Sequence, residues 1–298
     1  MRKTIKEALK ERKVLVSDGA WGTFLQRSGL KPGECPEAWC LSRPDIVKGI
    51  AQSYVDAGSD MIETNSFGGT SFKLSYYGFG DKVSEINEAA ARLSREAAGD
   101  DVWVIASVGP TGKMLIMEDV TEEEMYDAFK EQVIALERGG ADAICVETMT
   151  DAVEASIAIK AAKENTSMEI ISTFTFDKIA SGEYRTMMGI SPVEAVAAAI
   201  QAGADIVGTN CGNGLGGMLD VVIEIRKTFK DVPVLVHSNA GLPYRENGVD
   251  IFPETPEQMA TLVPDIIKAG VNIIGGCCGT TPQHIAAIKQ AIKNCNIC

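Results

Sequence analysis

No run of this 298-residue sequence approaches the roughly 18 consecutive apolar residues that a membrane-spanning helix requires. Met1 to Lys13 alternate charge with single apolar positions, so they lack the apolar stretch of a secretion signal and read as a first helix. No Ser/Pro-rich linker interrupts the chain, which is expected to be one domain over residues 1–298. Histidine is scarce: His237 and His284 are the two present, and neither has a companion at metal-ligand spacing. Positive charge is also short. The 28 Lys and Arg against 41 Asp and Glu give a net charge of -13, which argues against nucleic acid and anionic membrane surfaces as partners. A cytoplasmic location is the resulting expectation. The eight cysteines then suggest thiols or metal ligands rather than a disulfide framework.

What is present is enough apolar residue, 45%, for a sizeable core. Short β-rich runs alternate with longer amphipathic segments along the whole length. The runs are Val14–Ser17, Met61–Thr64, Val102–Ser107, Ala143–Val146, Ile170–Thr175, Ile206–Thr209, Val234–His237 and Asn272–Ile274. Helical patterns between them include Pro44–Ala57, Glu122–Arg138, Pro192–Ala202 and Pro256–Lys268. Eight strands in strict alternation with helices predict a single (β/α)8 TIM barrel. Long connections, notably Gly19–Arg43, Gly109–Val120, Phe176–Ile190 and Ala240–Thr255, fall on the C-terminal face of the strands.

An internal repeat fixes the register. Segments beginning at Gly58, Gly140, Gly203 and Gly270 align without gaps: in each, a small residue and Gly end a helix, Asp or Asn opens the next strand, and a polar residue ends it. They are strands two, four, six and eight. The seventh residue after each glycine is Asn65, Glu147, Asn210 or Cys277, and the eighth is Ser66, Thr148, Cys211 or Cys278. Cys211 is therefore register-equivalent to Cys278. This topology predicts that Cys211, Cys277 and Cys278 converge at the face where barrel enzymes keep their active sites.

Three protein thiolates with an open fourth position match a catalytic rather than a structural zinc site, and Asn239, at the end of strand seven, is a candidate to fill that position weakly. Three anionic sulfurs quench the metal's Lewis acidity, so such a site suits holding a fourth, nucleophilic thiolate better than making hydroxide. The expected reaction is attack of that thiolate on an electrophilic carbon. Other readings stay open. A Cys-Cys pair between glycines is also a packing or redox-labile pair, and the Gly-rich turn leading to Thr281 and Pro282 could serve phosphate. Asn65, Glu147 and Asp18, at strand ends, are candidate substrate contacts; a buried, hydrogen-bonded acid or an Asp-Gly turn would look the same. Cys35, Cys40 and Cys145 read as ordinary, and Cys295 with Cys298 as an end lacking the second pair of a zinc knuckle. A Schiff-base or phosphate barrel lyase is disfavoured because no strand end carries lysine, and a thiol redox sensor remains as a non-catalytic alternative.

The motifs Asp18-Gly-Ala-Trp-Gly-Thr23, Glu63-Thr-Asn-Ser-Phe-Gly68, Gly109-Pro110, Glu147-Thr148, Asn210-Cys211, Ser238-Asn-Ala-Gly-Leu-Pro243 and Gly275-Gly-Cys-Cys-Gly-Thr280 resemble those of the homocysteine S-methyltransferase family. The resemblance runs nearly end to end, and is nearest to the homocysteine-binding module of cobalamin-dependent methionine synthases. It implies zinc on Cys211, Cys277 and Cys278, with the homocysteine sulfur at the open position. It also implies substrate amino and carboxylate groups near Asp18, the backbone of Gly22 and Thr23, and Glu147. Those relatives continue into folate, cobalamin and reactivation modules. For this chain the resemblance therefore implies a separate methylcorrinoid protein as donor, with S-methylmethionine or another sulfonium or betaine as the alternative.

Overall fold

The computed structural model describes residues 3–12, 14–246 and 248–295, and within them the expected barrel is present. Its strands are β1 (Leu15–Val16), β2 (Met61–Glu63), β3 (Trp103–Val108), β4 (Ala143–Met149), β5 (Glu169–Phe174), β6 (Ile206–Gly214), β7 (Val234–Asn239) and β8 (Ile273–Gly276). All neighbouring pairs are parallel, running β2 to β8 in chain order and then β8 to β1. The helices between them pack outside, with Pro44–Asp56, Val83–Ala98, Glu122–Arg138, Pro192–Ala202 and Pro256–Lys268 within a residue or so of the sequence reading. No helix among the described residues is long and apolar enough to cross a membrane.

The repeat has a physical cause. Gly58, Gly140, Gly203 and Gly270 all have φ between 93° and 113°, the left-handed turn that ends a helix and that a side chain would strain. Two residues on, the acid or amide brackets the preceding odd strand. Asp60 Oδ2 accepts from Val16 N at 2.8 Å, Asp142 Oδ2 from Val104 N at 2.8 Å, Asp205 Oδ2 from Ile170 N at 3.2 Å, and Asn272 Oδ1 from Val234 N at 3.0 Å. Each residue's own N–H returns a bond to the same strand, as Asp60 N does to Val16 O at 2.7 Å.

At β1 and β2 this bracket closes the barrel, because no strand ladder joins them among the described residues. Asp60 is also held by Arg12 Nη1 at 2.9 Å and Lys289 Nζ at 2.8 Å. Burial works to raise its carboxyl pKa, but the bonds from Arg12 and Lys289 win and hold it below the ordinary value. Asp60→Ala removes the closing bracket and leaves two cations without their anion, so a stability loss of about 3 kcal/mol is expected in denaturant unfolding.

Inside the barrel, chemistry changes with height. Leu15, Met61, Ile171, Leu235 and Ile273 belong to one apolar layer, plugged from below by Ile5 and Ala8 of the first helix, α1 (Ile5–Glu11). Strand alternation places the next layer two residues later. It is largely polar, containing Ser17, Glu63, Ser107, Thr173 and His237, with Gly208 and Gly275 on β6 and β8. Above it come Glu147, Asn210, Asn239 and Cys277. Polar groups increase toward the C-terminal ends, where the long connections gather. Two of these carry hairpins, Asp177–Lys178 with Tyr184–Arg185 and Tyr244–Glu246 with Val249–Ile251, which the sequence pattern did not indicate.

Candidate active site at the C-terminal face

A cavity of about 260 Å³ opens on this face between β2, β4, β6 and β8. Of the sequence-predicted residues, Gly22, Asn65, Glu147, Cys211, Cys277 and Cys278 line it, whereas Asp18, Thr23 and Asn239 stand outside the lining. Trp21, Leu25 and Phe67 give the wall its apolar part. Phe67 lies against Gly109, where a Cβ would come within 2.5 Å of its ring. The glycine of the Gly109-Pro110 motif thus makes room for an aromatic wall.

The three thiols meet as the register predicted. Among the described residues, Cys211, Cys277 and Cys278 form the one group of three or more His, Cys, Asp or Glu whose ligand atoms all lie within 4.8 Å of one another. Cys211 reaches them through a strained backbone. The β6–β7 register breaks between Asn210 and Gly214, and Cys211 has φ 58°, a left-handed conformation that costs a residue with a Cβ about 1 kcal/mol. Its repeat counterpart Thr148 does the same at φ 59°. The sequence reading ended β4 and β6 at Val146 and Thr209, before these irregular extensions that carry Glu147 and Cys211.

Hydrogen bonds from Cys277 and Cys278 draw the Cys211 thiol far below its ordinary pKa. The bond to Cys211 in turn raises Cys277, and pushes Cys278 up to about 12. The donor set fits a soft, tetrahedral cation: sulfurs at about 2.3 Å from zinc lie ~3.8 Å apart, within the 4.8 Å that bounds the three sulfurs. Asn239 adds a buried Oδ1 with no hydrogen-bond partner behind the cluster.

The Gly-rich turn itself is committed to structure. Its N–H groups at Gly276, Cys277, Gly279 and Thr280 donate to Asp18 O, Ser238 O, Thr23 Oγ1 and Cys277 O. Thr281 N donates to His284 Nδ1 at 3.2 Å, which gives His284 a capping role at the helix Pro282–Asn294. These five donors are therefore spent within the protein, which counts against the phosphate reading of the turn. The described cysteines are all free thiols. Burial pushes Cys35 up to about 12 and also raises Cys40 and Cys145, which disfavours their thiolates; Cys298 lies outside the described residues.

Four ionisable groups lie on or behind the cavity wall. Glu147 accepts a short hydrogen bond from Ser107 Oγ and one from Asn210 Nδ2 at 3.2 Å. Asp18 is fully buried behind the wall, where Oδ2 accepts from Trp21 Nε1 at 2.9 Å and Glu63 N at 2.8 Å. Glu63 and His237 line the cavity, with Nδ1 of the histidine 3.5 Å from Glu63 Oε1. Sequence reasoning passed over both. The available signal was that Glu63 is an acid at the repeat position occupied elsewhere by Cys145, Gly208 and Gly275.

Burial raises Asp18 to about 7 and Glu63 to about 8, raises Glu147 well above the ordinary range, and lowers His237. For acids raised in the folded state, the native protein holds more protons than the unfolded chain, so stability is full below about pH 4 and falls as pH rises through the folded values. The metal-free protein is expected to melt at a lower temperature near pH 8.5 than near pH 6, with Glu63→Gln flattening the dependence. Thermal scans across that range check it.

An eight-stranded parallel barrel brings a thiol triad and buried acids together at its C-terminal face, where barrel active sites lie. The chain belongs to the homocysteine S-methyltransferase family, whose model matches residues 15–292. It is 31% identical over 304 residues to a methionine synthase of Mycobacterium leprae (strain TN), covering 97% of this chain and 25% of that protein. It is 30% identical over 297 residues to a methionine synthase of Mycobacterium tuberculosis, covering 95% and 25%. The chain thus spans about a quarter of the length of the curated relatives it matches. Among solved structures, the metallated form of the homocysteine methyltransferase MmuM from Escherichia coli shares the fold, with a TM-score of 0.80 at 22% identity over 96% of this chain and 99% of that one.

Proposed function

We propose that this protein transfers a methyl group to the thiolate of homocysteine, giving methionine, with zinc as its metal. The convergence of Cys211, Cys277 and Cys278 on the cavity wall carries this reading. These three residues would hold the ion, whose chemistry when bound is to ionise a thiol at neutral pH while leaving it nucleophilic.

The chain's own residues supply the rest. Glu147, on the wall, meets the substrate ammonium, and the backbone around Gly22 and Thr23 meets its carboxylate. No residue fills the space in front of Gly22, where a Cβ would have no neighbour within 4 Å. Asp18 positions this wall from behind through Trp21 and the Glu63 amide. Asn65 orders the rim, its Nδ2 donating to Pro36 O at 2.8 Å. Trp21, Leu25 and Phe67 limit water around the reacting sulfur. Asn239 holds the cluster from the side away from the cavity.

The donor is proposed to be a methylcorrinoid protein or module docking on the open face. The methionine synthase relatives, which extend far beyond the matched region, support that choice. Reduced protein should bind about one zinc per chain and methylate homocysteine when offered methylcobalamin or a methylated corrinoid protein. Turnover with S-methylmethionine or betaine alone overturns the corrinoid donor, and turnover with none of the four donors overturns the reaction.

A further inference from the structure

The cavity is lined by carboxylates without a matching cation: among the described residues, no lysine or arginine lines it. The four acids on or behind its wall differ in how their oxygens are used, and Glu37 accepts from Gly68 N at 2.7 Å and Cys35 Sγ at 3.4 Å. Asp18 gives Oδ2 to Trp21 and the Glu63 amide, and its Oδ1 lies 3.3 Å from Ser17 Oγ. Glu147 accepts from Ser107 and Asn210. Glu63, 7% exposed, has an Oε1 with no hydrogen-bond partner. His237, 1% exposed, likewise has an unpartnered Nε2. Both face the same cavity, and His237 has room there because residue 275 is glycine: a Cβ at Gly275 would lie 2.8 Å from His237 Cδ2.

Buried polar atoms without partners are rare because each forfeits its hydration. Glu63 Oε1 is buried against His237 Nδ1 at 3.5 Å, which leaves the other oxygen of this cavity-lining carboxylate, itself without a hydrogen bond, for a ligand's donor. We propose that Glu63, backed by His237, receives the α-ammonium of the substrate together with Glu147, and so selects amino thiols over thiols that lack the amino group. The inference rests on the homocysteine reading and names a specificity determinant within it. The wall offers the Glu63 and Glu147 carboxylates as acceptors for two of the ammonium's three N–H donors, with His237 Nδ1 3.5 Å behind Glu63. Burial holds Glu63 up to about 8 while the cavity is empty, and an arriving cation is the counter-charge that ionises it.

The test uses the zinc-loaded full chain and titration calorimetry with homocysteine and with 4-mercaptobutanoate, its counterpart without the amino group. In Glu63→Gln, homocysteine is expected to bind at least about 30-fold more weakly, while 4-mercaptobutanoate changes by less than about 3-fold and zinc stoichiometry stays unchanged. Glu63→Asp, which keeps the charge but draws it back, is expected to retain part of the preference and serves if the glutamine variant does not fold. An equal loss for both thiols, or no loss for homocysteine, overturns the role of Glu63. Zinc-loaded wild-type protein that binds neither thiol overturns the homocysteine reading itself.

Discussion

Replacing Cys211 by serine is expected to abolish zinc retention and to lower methyl transfer by at least about 1,000-fold, or about 4 kcal/mol of transition-state stabilisation. The three sulfurs lie within 4.8 Å of one another, and Cys211 alone of them comes from β6. Removing it leaves adjacent Cys277 and Cys278 with no third anchor, and a serine hydroxyl does not ionise to replace a thiolate. Metal analysis after dialysis, beside a turnover assay, reads both effects.

A second substitution at the same position separates ligand from backbone. Cys211 has φ 58°, so Cys211→Gly relieves a strained conformation even as it deletes the sulfur. Metal-free Cys211→Gly is expected to be more stable than metal-free wild type by about 1 kcal/mol, yet equally unable to hold zinc. A strain borne only where a thiol is aimed at two others is what a ligand position requires. If Cys211→Gly keeps its metal, the site as described is wrong.

Glu147→Gln is expected to raise KM for homocysteine about 100-fold while leaving zinc at about one per chain. The substitution preserves volume but removes the charge that faces the ammonium. It also disturbs a local network. Asn210 Nδ2 donates to Glu147, and Asn210 cannot flip to compensate, because its Oδ1 accepts from Thr148 N at 2.8 Å and Thr173 Oγ1 at 2.7 Å. A glutamine amide keeps both contacts with its oxygen toward Asn210 and its NH2 toward Ser107 Oγ, which then accepts instead of donating, so a stability loss of less than about 1 kcal/mol accompanies the kinetic one. Steady-state kinetics with denaturant unfolding distinguish the two losses. An unchanged KM would show that Glu147 is only a buried, hydrogen-bonded acid.

The barrel and the thiol triad were legible because both are written in periodicity. Each repeat needs a glycine to end its helix and an acid or amide to bracket the neighbouring strand, so Gly58, Gly140, Gly203 and Gly270 mark the register that brings Cys211 to Cys278. The Glu63–His237 pair was not legible in that way. It joins β2 to β7 across the barrel interior, and its room depends on a missing side chain at Gly275 on β8, so no local spacing reports it. Asp18 was visible as a strand-end acid, but its service to Trp21 and the Glu63 amide depends on how the chain turns after β1. The left-handed turns at Thr148 and Cys211 also escaped, because non-glycine residues seldom adopt them and tertiary contacts impose them here.

The central claim is that Cys211, Cys277 and Cys278 hold zinc with one position left for the substrate sulfur. Zinc-edge X-ray absorption of the reduced protein, before and after homocysteine, addresses it directly. The expected result is three sulfur neighbours at about 2.3 Å rising to four when homocysteine is added. A sulfur count that stays the same on addition, or a protein that holds no zinc to measure, would contradict the account.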